Sequence, residues 1–120
     1  MKVEIKEVVA YKGHSVKVNG NLDLTFSAMY DQITKSMEIL QMLNNNIMIT
    51  AKMPGSKPIK LGMFNIKNIN FDNDGESILK FNTLVDYVEM NNLNSIINQE
   101  NFVIRLEADV ELENDEEEEE

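Results

Sequence analysis

The sequence predicts a single, mainly β domain with a minor helical part. Residues 3–11, 22–26 and 102–112 each alternate apolar and polar side chains, which is the period of a strand with one buried face. Residues 29–43 change to the three-and-four spacing of an amphipathic helix. With 120 residues, of which 42% are hydrophobic, the chain has the size of one domain and can fill one modest core.

The first 28 residues predict three strands joined by two tight turns. The first strand places its apolar residues on one face, namely Val3, Ile5, Val9 and Tyr11. Lys12-Gly13 predicts the first turn. Asn19-Gly20 predicts the second, because both residues tolerate the positive φ of a tight hairpin. We therefore expect a three-stranded meander.

The helix that follows should end at Asn44-Asn45-Asn46, since Asn tolerates the left-handed conformation that closes helices. Period two resumes over residues 47–53, and residues 54–58 (PGSKP) predict a loop. The apolar phase then slips twice between residues 59 and 71. A bulge has to absorb each slip, and Gly62 is a natural position for one.

Residues 72–75 (DNDG) predict another turn, and Leu79 and Phe81 mark the next strand. Thr83 and Asp86 resemble a capping box that opens a short helix. Residues 102–112 form the most regular strand pattern in the chain. We expect a domain over residues 1–112 and a disordered acidic tail over residues 113–120, which have nothing to bury.

In order, these elements run β-β-β-α-β-β, followed by an added strand, a short helix and a last strand. A meander of three strands, a helix and two further strands is the element order of the OB-fold, a five-stranded Greek-key barrel. We therefore predict an OB-fold-like five-stranded barrel with an added C-terminal short helix and strand.

The net charge of −10 is unevenly distributed. Of 21 acidic residues, ten lie in residues 107–120, which contain no base. The other eleven equal the Lys and Arg residues in number, so residues 1–106 are neutral overall. Between Glu38 and Asp72 the chain has lysines but no acid. A basic stretch and an acidic tail on one chain indicate a binding function governed by charge.

Catalytic chemistry finds little support in the sequence. The chain has no cysteine, and its one histidine, His14, lies beside a predicted turn without a nucleophile partner. We expect no enzyme activity, no catalytic or metal-binding residues and no cofactor. We see no signal peptide and no apolar run near the roughly 20 residues that span a bilayer. The expected location is cytoplasmic, with no membrane partner.

One group of residues matches the chemistry of single-stranded nucleic-acid binding, in which basic side chains follow the phosphates and aromatic rings stack on the bases. The candidate residues are Tyr11, Lys12, Lys17, Lys52, Lys57, Lys60, Phe64, Lys67, Phe71 and Lys80. Phe64 lies where the apolar phase slips, so we expect it to point away from the core. Against this stand the ordinary roles of strand phenylalanines as core residues and of lysines as a solvated surface.

A meander, a helix, further strands and the acidic run VELENDEEEEE on a cysteine-free chain of this length resemble the single-stranded-DNA-binding proteins of tailed phages, above all those of lactococcal phages. The resemblance implies a variant OB-fold and oligomers, dimers or tetramers, that coat single-stranded DNA during replication and recombination in the host cytoplasm. Many members end in a phenylalanine that docks partners, whereas this chain ends in Glu120.

The sequence therefore predicts a non-catalytic protein that binds single-stranded DNA. The acidic tail would regulate access to the DNA site or recruit replication and recombination proteins. Two alternatives remain open. The acids could mimic DNA and inhibit another protein, or the chain could be a phage assembly protein without a ligand.

Overall fold

A computed structural model of the chain describes residues 2–29, 41–71 and 76–109. The described residues form six strands, one 3-10 helix at Val85–Tyr87 and one short α-helix, α1, at Met90–Ser95. The strands are β1 at Lys2–Val16, β2 at Asn21–Met29, β3 at Ile47–Lys52, β4 at Ile59–Phe71, β5 at Glu76–Leu84 and β6 at Phe102–Asp109. The prediction of a mainly β chain is confirmed.

The six strands close into an antiparallel barrel in the order β1-β2-β5-β4-β3-β6, with β6 pairing back to β1. The last strand lies between β1 and β3, so that β3, β4, β5 and β6 form a Greek key. This connection carries the chain across the barrel through the 3-10 helix and α1. Closure leaves each strand paired along at least part of both edges.

The predicted meander of three strands is wrong, because Lys12-Gly13 is a bulge and not a turn. Tyr11 lies opposite Phe26, whereas Gly13 lies opposite Thr25, so Lys12 is the extra residue in one continuous strand. The first 29 residues are therefore a two-stranded hairpin. The six-stranded barrel differs in strand number from the five-stranded one that we predicted.

The second turn of the predicted meander is the hairpin turn between β1 and β2. The Gly20 amide donates to the Lys17 carbonyl over 2.9 Å, and the Lys17 amide donates to the Asn21 carbonyl over 2.8 Å. Only Gly20 has a positive φ there, of 92°. The turn thus has the three-residue loop that uses glycine at one position, instead of the two-residue loop that Asn-Gly favours.

The two phase slips along β4 correspond to two bulges. Ile49 pairs with Gly62 but Thr50 pairs with Lys60, which leaves one extra residue beside Gly62 as predicted. Farther along, Ile66 pairs with Phe81 but Asn68 pairs with Lys80, so Lys67 is extra. Without a bulge, each one-residue slip would send the following apolar side chains to the opposite face of the sheet. Each bulge adds one residue and so restores their original face.

Most of the predicted helix over residues 29–43 lies outside the described residues, and so does the predicted turn at 72–75. The predicted end of this helix lies within the described residues. Asn44 has a φ of 67°, in the left-handed region. The Asn45 side-chain amide donates to the carbonyls of Gln41, over 2.9 Å, and Leu43, over 3.2 Å. The asparagine run therefore terminates the preceding segment as the sequence indicated.

The barrel interior is filled by apolar side chains, and four of its largest are phenylalanines. Phe26 contacts Phe81 and Phe102 edge to face, with ring centroids 6.1 and 6.0 Å apart. Phe81 also contacts Phe64, with centroids 6.4 Å apart. These four residues are called the phenylalanine chain below. Such T-shaped pairs are favoured by the ring quadrupole and stabilise the core beyond their buried area.

The connection to the last strand differs in detail from the prediction. Leu84 precedes the 3-10 helix without any side-chain cap, so the capping box at Thr83 and Asp86 is not formed. Thr83 still belongs to β5 and pairs with Leu22. β6 confirms the last strand as far as Asp109, and residues 110–120, including the predicted tail, lie outside the described residues.

Candidate functional site

The structure removes Phe64 from the predicted binding surface. Its side chain is 1% exposed and belongs to the phenylalanine chain. The sequence interpretation was wrong because it followed the slip in apolar phase without the bulge that compensates for it. The extra residue beside Gly62 brings Phe64 back to the interior. Phe71 ends β4, and its side chain lies outside the described part of the chain.

Tyr11 is also not a free aromatic surface. It is half-buried and packs against the core. Its hydroxyl and Nδ1 of His14 form a hydrogen bond of 2.6 Å. Burial raises the pKa of the Tyr11 hydroxyl, and a hydrogen bond with the His14 backbone opposes that rise. Tyr11 is therefore less exposed than a free surface aromatic, and its hydroxyl is already engaged by His14.

The predicted lysines divide between two parts of the barrel surface. The first is the outer side of β2, β5 and β4, which we call the β5 face. Lys67 and Lys17 both approach Asp23 there, with Nζ to Oδ2 distances of 3.3 and 3.9 Å. Lys80 lies in the next cross-strand row, between Thr25 on β2 and Asn68 on β4. Two lysines thus approach one acid, and a third lies one cross-strand row away on the same face.

The second part is the outer side of β1, β6 and β3, which we call the β6 face. Lys60 pairs with Thr50, which pairs with Arg105 on β6, and Lys52 pairs with Val103. Lys57 lies in the loop before β4, and Lys12 is the bulged residue of β1. The acid-free window of the sequence therefore does not form one basic groove, because β4 contributes to both faces.

Two cations of the β6 face, Arg105 and Lys2, form ion pairs with neighbouring acids. The Arg105 guanidinium lies 3.4 Å from Glu107 and 3.7 Å from Glu4, and Lys2 lies 3.6 Å from Glu107. Glu107 was assigned by sequence to the run of terminal acids, but it is a strand residue with two cationic neighbours. These ion pairs involve Arg105 and Lys2, and none of the predicted lysines of this face is paired with a described acid.

A groove of about 460 Å³ lies at one end of the β5 face. Amide side chains dominate its lining, and none of the described lining residues is charged. These residues are Asn21, Asn46, Met63, Asn65, Asn82, Thr83, Leu84 and Tyr87. Tyr87 is 59% exposed, which makes it the one large aromatic residue among the described residues that is classed as exposed. Sequence reasoning missed it by treating residues 83–88 as a capped helix.

Strand pairing and one glycine shape this groove. Asn82 lies in a cross-strand row between Asp23 and Asn65, and Asn21 pairs with Leu84 in the row above. The turn that contains Tyr87 crosses close to β4, where Val88 forms a bridge with Gly62. A Cβ atom on Gly62 would lie 2.9 Å from the Val88 Cα, closer than such atoms pack. Gly62 is therefore needed both for the bulge and for placing Tyr87.

The amides of the groove differ in their hydrogen bonding. Asn65 donates to the Asn45 carbonyl over 3.0 Å and to Oδ1 of Asn46 over 3.2 Å, which fixes its orientation. The Asn82 side chain forms no hydrogen bond with any described residue. Asn82 thus presents both a donor and an acceptor to whatever enters the groove.

Glu7 places a carboxyl group in the mainly apolar interior of the barrel. It is 3% exposed on the inward side of β1, and its Oε1 atom has no hydrogen-bond partner among the described residues. Burial raises the pKa of this carboxyl to about 7, although a hydrogen bond with the Val8 backbone opposes the rise. A pocket of about 630 Å³ lies beside it, between β1, β2 and β6.

Within the three described ranges, no cluster of His, Cys, Asp or Glu could hold a metal ion. No helix in those ranges is long and apolar enough to cross a membrane. Comparison with protein-family models, with curated proteins and with solved structures gives no match to this chain.

Proposed function

We propose that this protein binds single-stranded DNA on the β5 face. The observation that carries the proposal is the position of Lys17, Lys67 and Lys80 beside a neutral groove with an exposed tyrosine. Single-strand binding requires cations for the phosphates and an aromatic surface for the bases. The β5 face combines both, whereas the described part of the β6 face has no exposed large aromatic side chain.

The electrostatic arrangement suits an exchangeable anion. Asp23 is the acid nearest to both Lys17 and Lys67, and all three side chains are partly solvent-exposed. Exposed ion pairs of this kind contribute about 0–1 kcal/mol. A phosphate can therefore compete with Asp23 for either lysine, and Lys80 adds a third cation in the next cross-strand row of the same face.

The barrel is compatible with a variant of the OB-fold, since both are small closed sheets with a Greek key. The bulge at Lys12 and the sixth strand would be features of the variant. A role in coating single-stranded DNA during phage replication or recombination extends this proposal. It rests on the resemblance in element order and in the acidic run.

We also propose that the acidic residues 113–120 compete with DNA for the lysines of the β5 face. Eight residues with one Asn and seven acids carry enough charge to bind a cationic surface at low ionic strength. Truncation after Leu112 should tighten binding to oligo-dT at low salt and have less effect at high salt, because screening weakens the competition. Equal binding by both proteins would refute the autoinhibition.

The decisive experiment is a gel shift with labelled oligo-dT, with a duplex of the same length as the control. Direct binding with preference for the single strand supports the proposal. A chain that acts as a DNA mimic or as an assembly protein would leave the oligonucleotide unshifted. Sedimentation of the protein with and without oligo-dT would test whether it binds as a dimer or tetramer.

A further inference from the structure

We propose that the groove beneath Tyr87 receives one nucleobase of the bound strand. The inference rests on the proposed function and assigns a specific subsite to it. The groove holds about 460 Å³, and its described lining consists of four amides, two hydroxyl-bearing side chains (Thr83 and Tyr87) and two apolar side chains. A nucleobase is a neutral, flat ligand whose edges carry hydrogen-bond donors and acceptors and whose faces are apolar.

Apolar groups are available for the faces of the base. Tyr87, 59% exposed, offers an aromatic ring, and Leu84, 44% exposed, lies in the same groove. Met63, whose thioether adapts to irregular shapes, also lines it. Stacking on a base would remove these side chains from water together, because they line the same groove.

Polar groups are available for the edge of the base. The Asn82 amide has no partner among the described residues, so it can donate and accept at the same time. Asn65 is already hydrogen-bonded to Asn45 and Asn46, which leaves the Asn82 amide available to a ligand. Each base presents an adjacent donor and acceptor on its Watson–Crick edge, so Asn82 can pair with any of the four.

The position of the groove fits the path of a strand. Asn82 lies directly opposite Asp23, the residue that Lys17 and Lys67 approach. A base in the groove therefore places its phosphate near the lysines of the β5 face. The phosphates would bind to the lysines, and the base would bind to the neutral groove.

This division predicts different salt dependences for the two kinds of contact. Loss of a lysine–phosphate contact lowers the slope of log affinity against log salt, because fewer counterions are released. Loss of a base contact in a neutral groove weakens binding by the same factor at every salt concentration. Affinity for oligo-dT should thus fall in Tyr87→Ala and Asn82→Ala with the salt slope unchanged.

The test compares oligo-dT with an abasic deoxyribose strand of the same length, across a salt series. We expect Tyr87→Ala to weaken oligo-dT binding by about 5- to 150-fold, the range for loss of one stacked base. Tyr87→Phe should retain binding because its ring still stacks. Asn94→Ala, an exposed asparagine on α1, is the matched control for Asn82→Ala.

For the abasic strand, the wild type and Tyr87→Ala should bind alike. Wild-type binding to oligo-dT that neither Tyr87→Ala nor Asn82→Ala weakens would overturn the base subsite and leave the proposed function intact. No wild-type binding to oligo-dT would overturn the proposed function together with this inference. If Tyr87→Ala also lowers the thermal midpoint, Asn82→Ala and the abasic comparison decide the question.

Discussion

The interior of the barrel and its β5 face differ in how they use aromatic side chains. Inside, Phe64 contacts Phe81 with ring centroids 6.4 Å apart and is almost completely buried. On the β5 face, Tyr87 is the exposed aromatic, and it is surrounded by amides. Both positions depend on Gly62, where the bulge turns Phe64 inward and the absent Cβ admits the turn of Tyr87. One glycine therefore separates an aromatic that stabilises the fold from one that is available for binding.

The largest expected effect concerns the interior. Phe26→Ala and Phe64→Ala should each lower the free energy of unfolding by about 3–5 kcal/mol, because each removes a buried ring from a core that can only partly collapse. Denaturant titration followed by circular dichroism measures this loss. Tyr87→Ala is the matched exposed control. A Phe64→Ala protein with normal stability but weaker DNA binding would contradict the distinction between the two regions.

The second effect comes from Glu7, the buried carboxyl of the described barrel. Its folded-state pKa of about 7 exceeds the ordinary value of 4.5, so the folded state holds the proton more tightly. The resulting stability is fully present below pH 4.5 and is lost as pH rises through 7. The loss amounts to about 3 kcal/mol. Glu7→Gln should abolish this part of the pH dependence.

Urea titrations between about pH 4 and pH 8, a range that spans both pKa values, measure the effect of Glu7. At each pH the free energy of unfolding of the variant is subtracted from that of the wild type. Glu100→Gln, at an exposed position, is the control and should keep the wild-type profile. Parallel profiles for Glu7→Gln and the wild type would show that the carboxyl is solvated in the folded protein.

A smaller effect should distinguish the two outer faces. If DNA binds to the β5 face, loss of one phosphate contact lowers the magnitude of the slope of log affinity against log salt by about 0.7. We expect this change for each of Lys17→Gln, Lys67→Gln and Lys80→Gln. Lys2→Gln, on the β6 face beside Glu107, is the matched control. Fluorescence anisotropy with oligo-dT measures the slopes. A slope that changes only for Lys2→Gln would move the interface to the β6 face.

The smallest effect should arise from the ion pairs of the β6 face. Arg105→Gln removes contacts with Glu4 and Glu107, but all three side chains are partly exposed. Such pairs contribute less than about 1 kcal/mol, and salt screens them. Urea titrations should show a small difference between the free energies of unfolding of the wild type and the variant at low salt. This difference should become smaller still at high salt. A loss above that range would mean that these charges stabilise the closure of the barrel.

The sequence predicted the regular parts of the fold well. Alternation indicated the strands, the asparagine run indicated the end at Asn44, and Gly62 was identified as a bulge. Lys12-Gly13 was misinterpreted as a turn. A bulge and a turn both contain glycine and both interrupt the alternation of apolar and polar residues, so that only the pairing with the neighbouring strand distinguishes them. The order of strands in the barrel depends on pairings between distant segments, which local patterns do not contain.

The candidate site was less predictable, for a related reason. Lys67 and Lys80 were recognised as basic residues, but their neighbours across the sheet, Asp23 and Asn68, follow from register. Glu7 occupies an inward position in the alternation of β1, and its charge concealed that fact. Tyr87 lies in a 3-10 turn of three residues, too short for any periodic pattern to indicate which side chain faces solvent.

The closing position of β6 has a consequence for how the protein is made. Lys2 pairs with Asp109, so the first and last described strands meet, and β6 also completes the edge of β3. A chain growing from its N-terminus has both of those strand edges unpaired until residues 102–109 emerge. Barrel closure must then bring together segments that are about a hundred residues apart, which makes folding slow. During synthesis the open edges of β1 and β3 are the places where two nascent chains would associate, and chaperones that bind extended segments would act there.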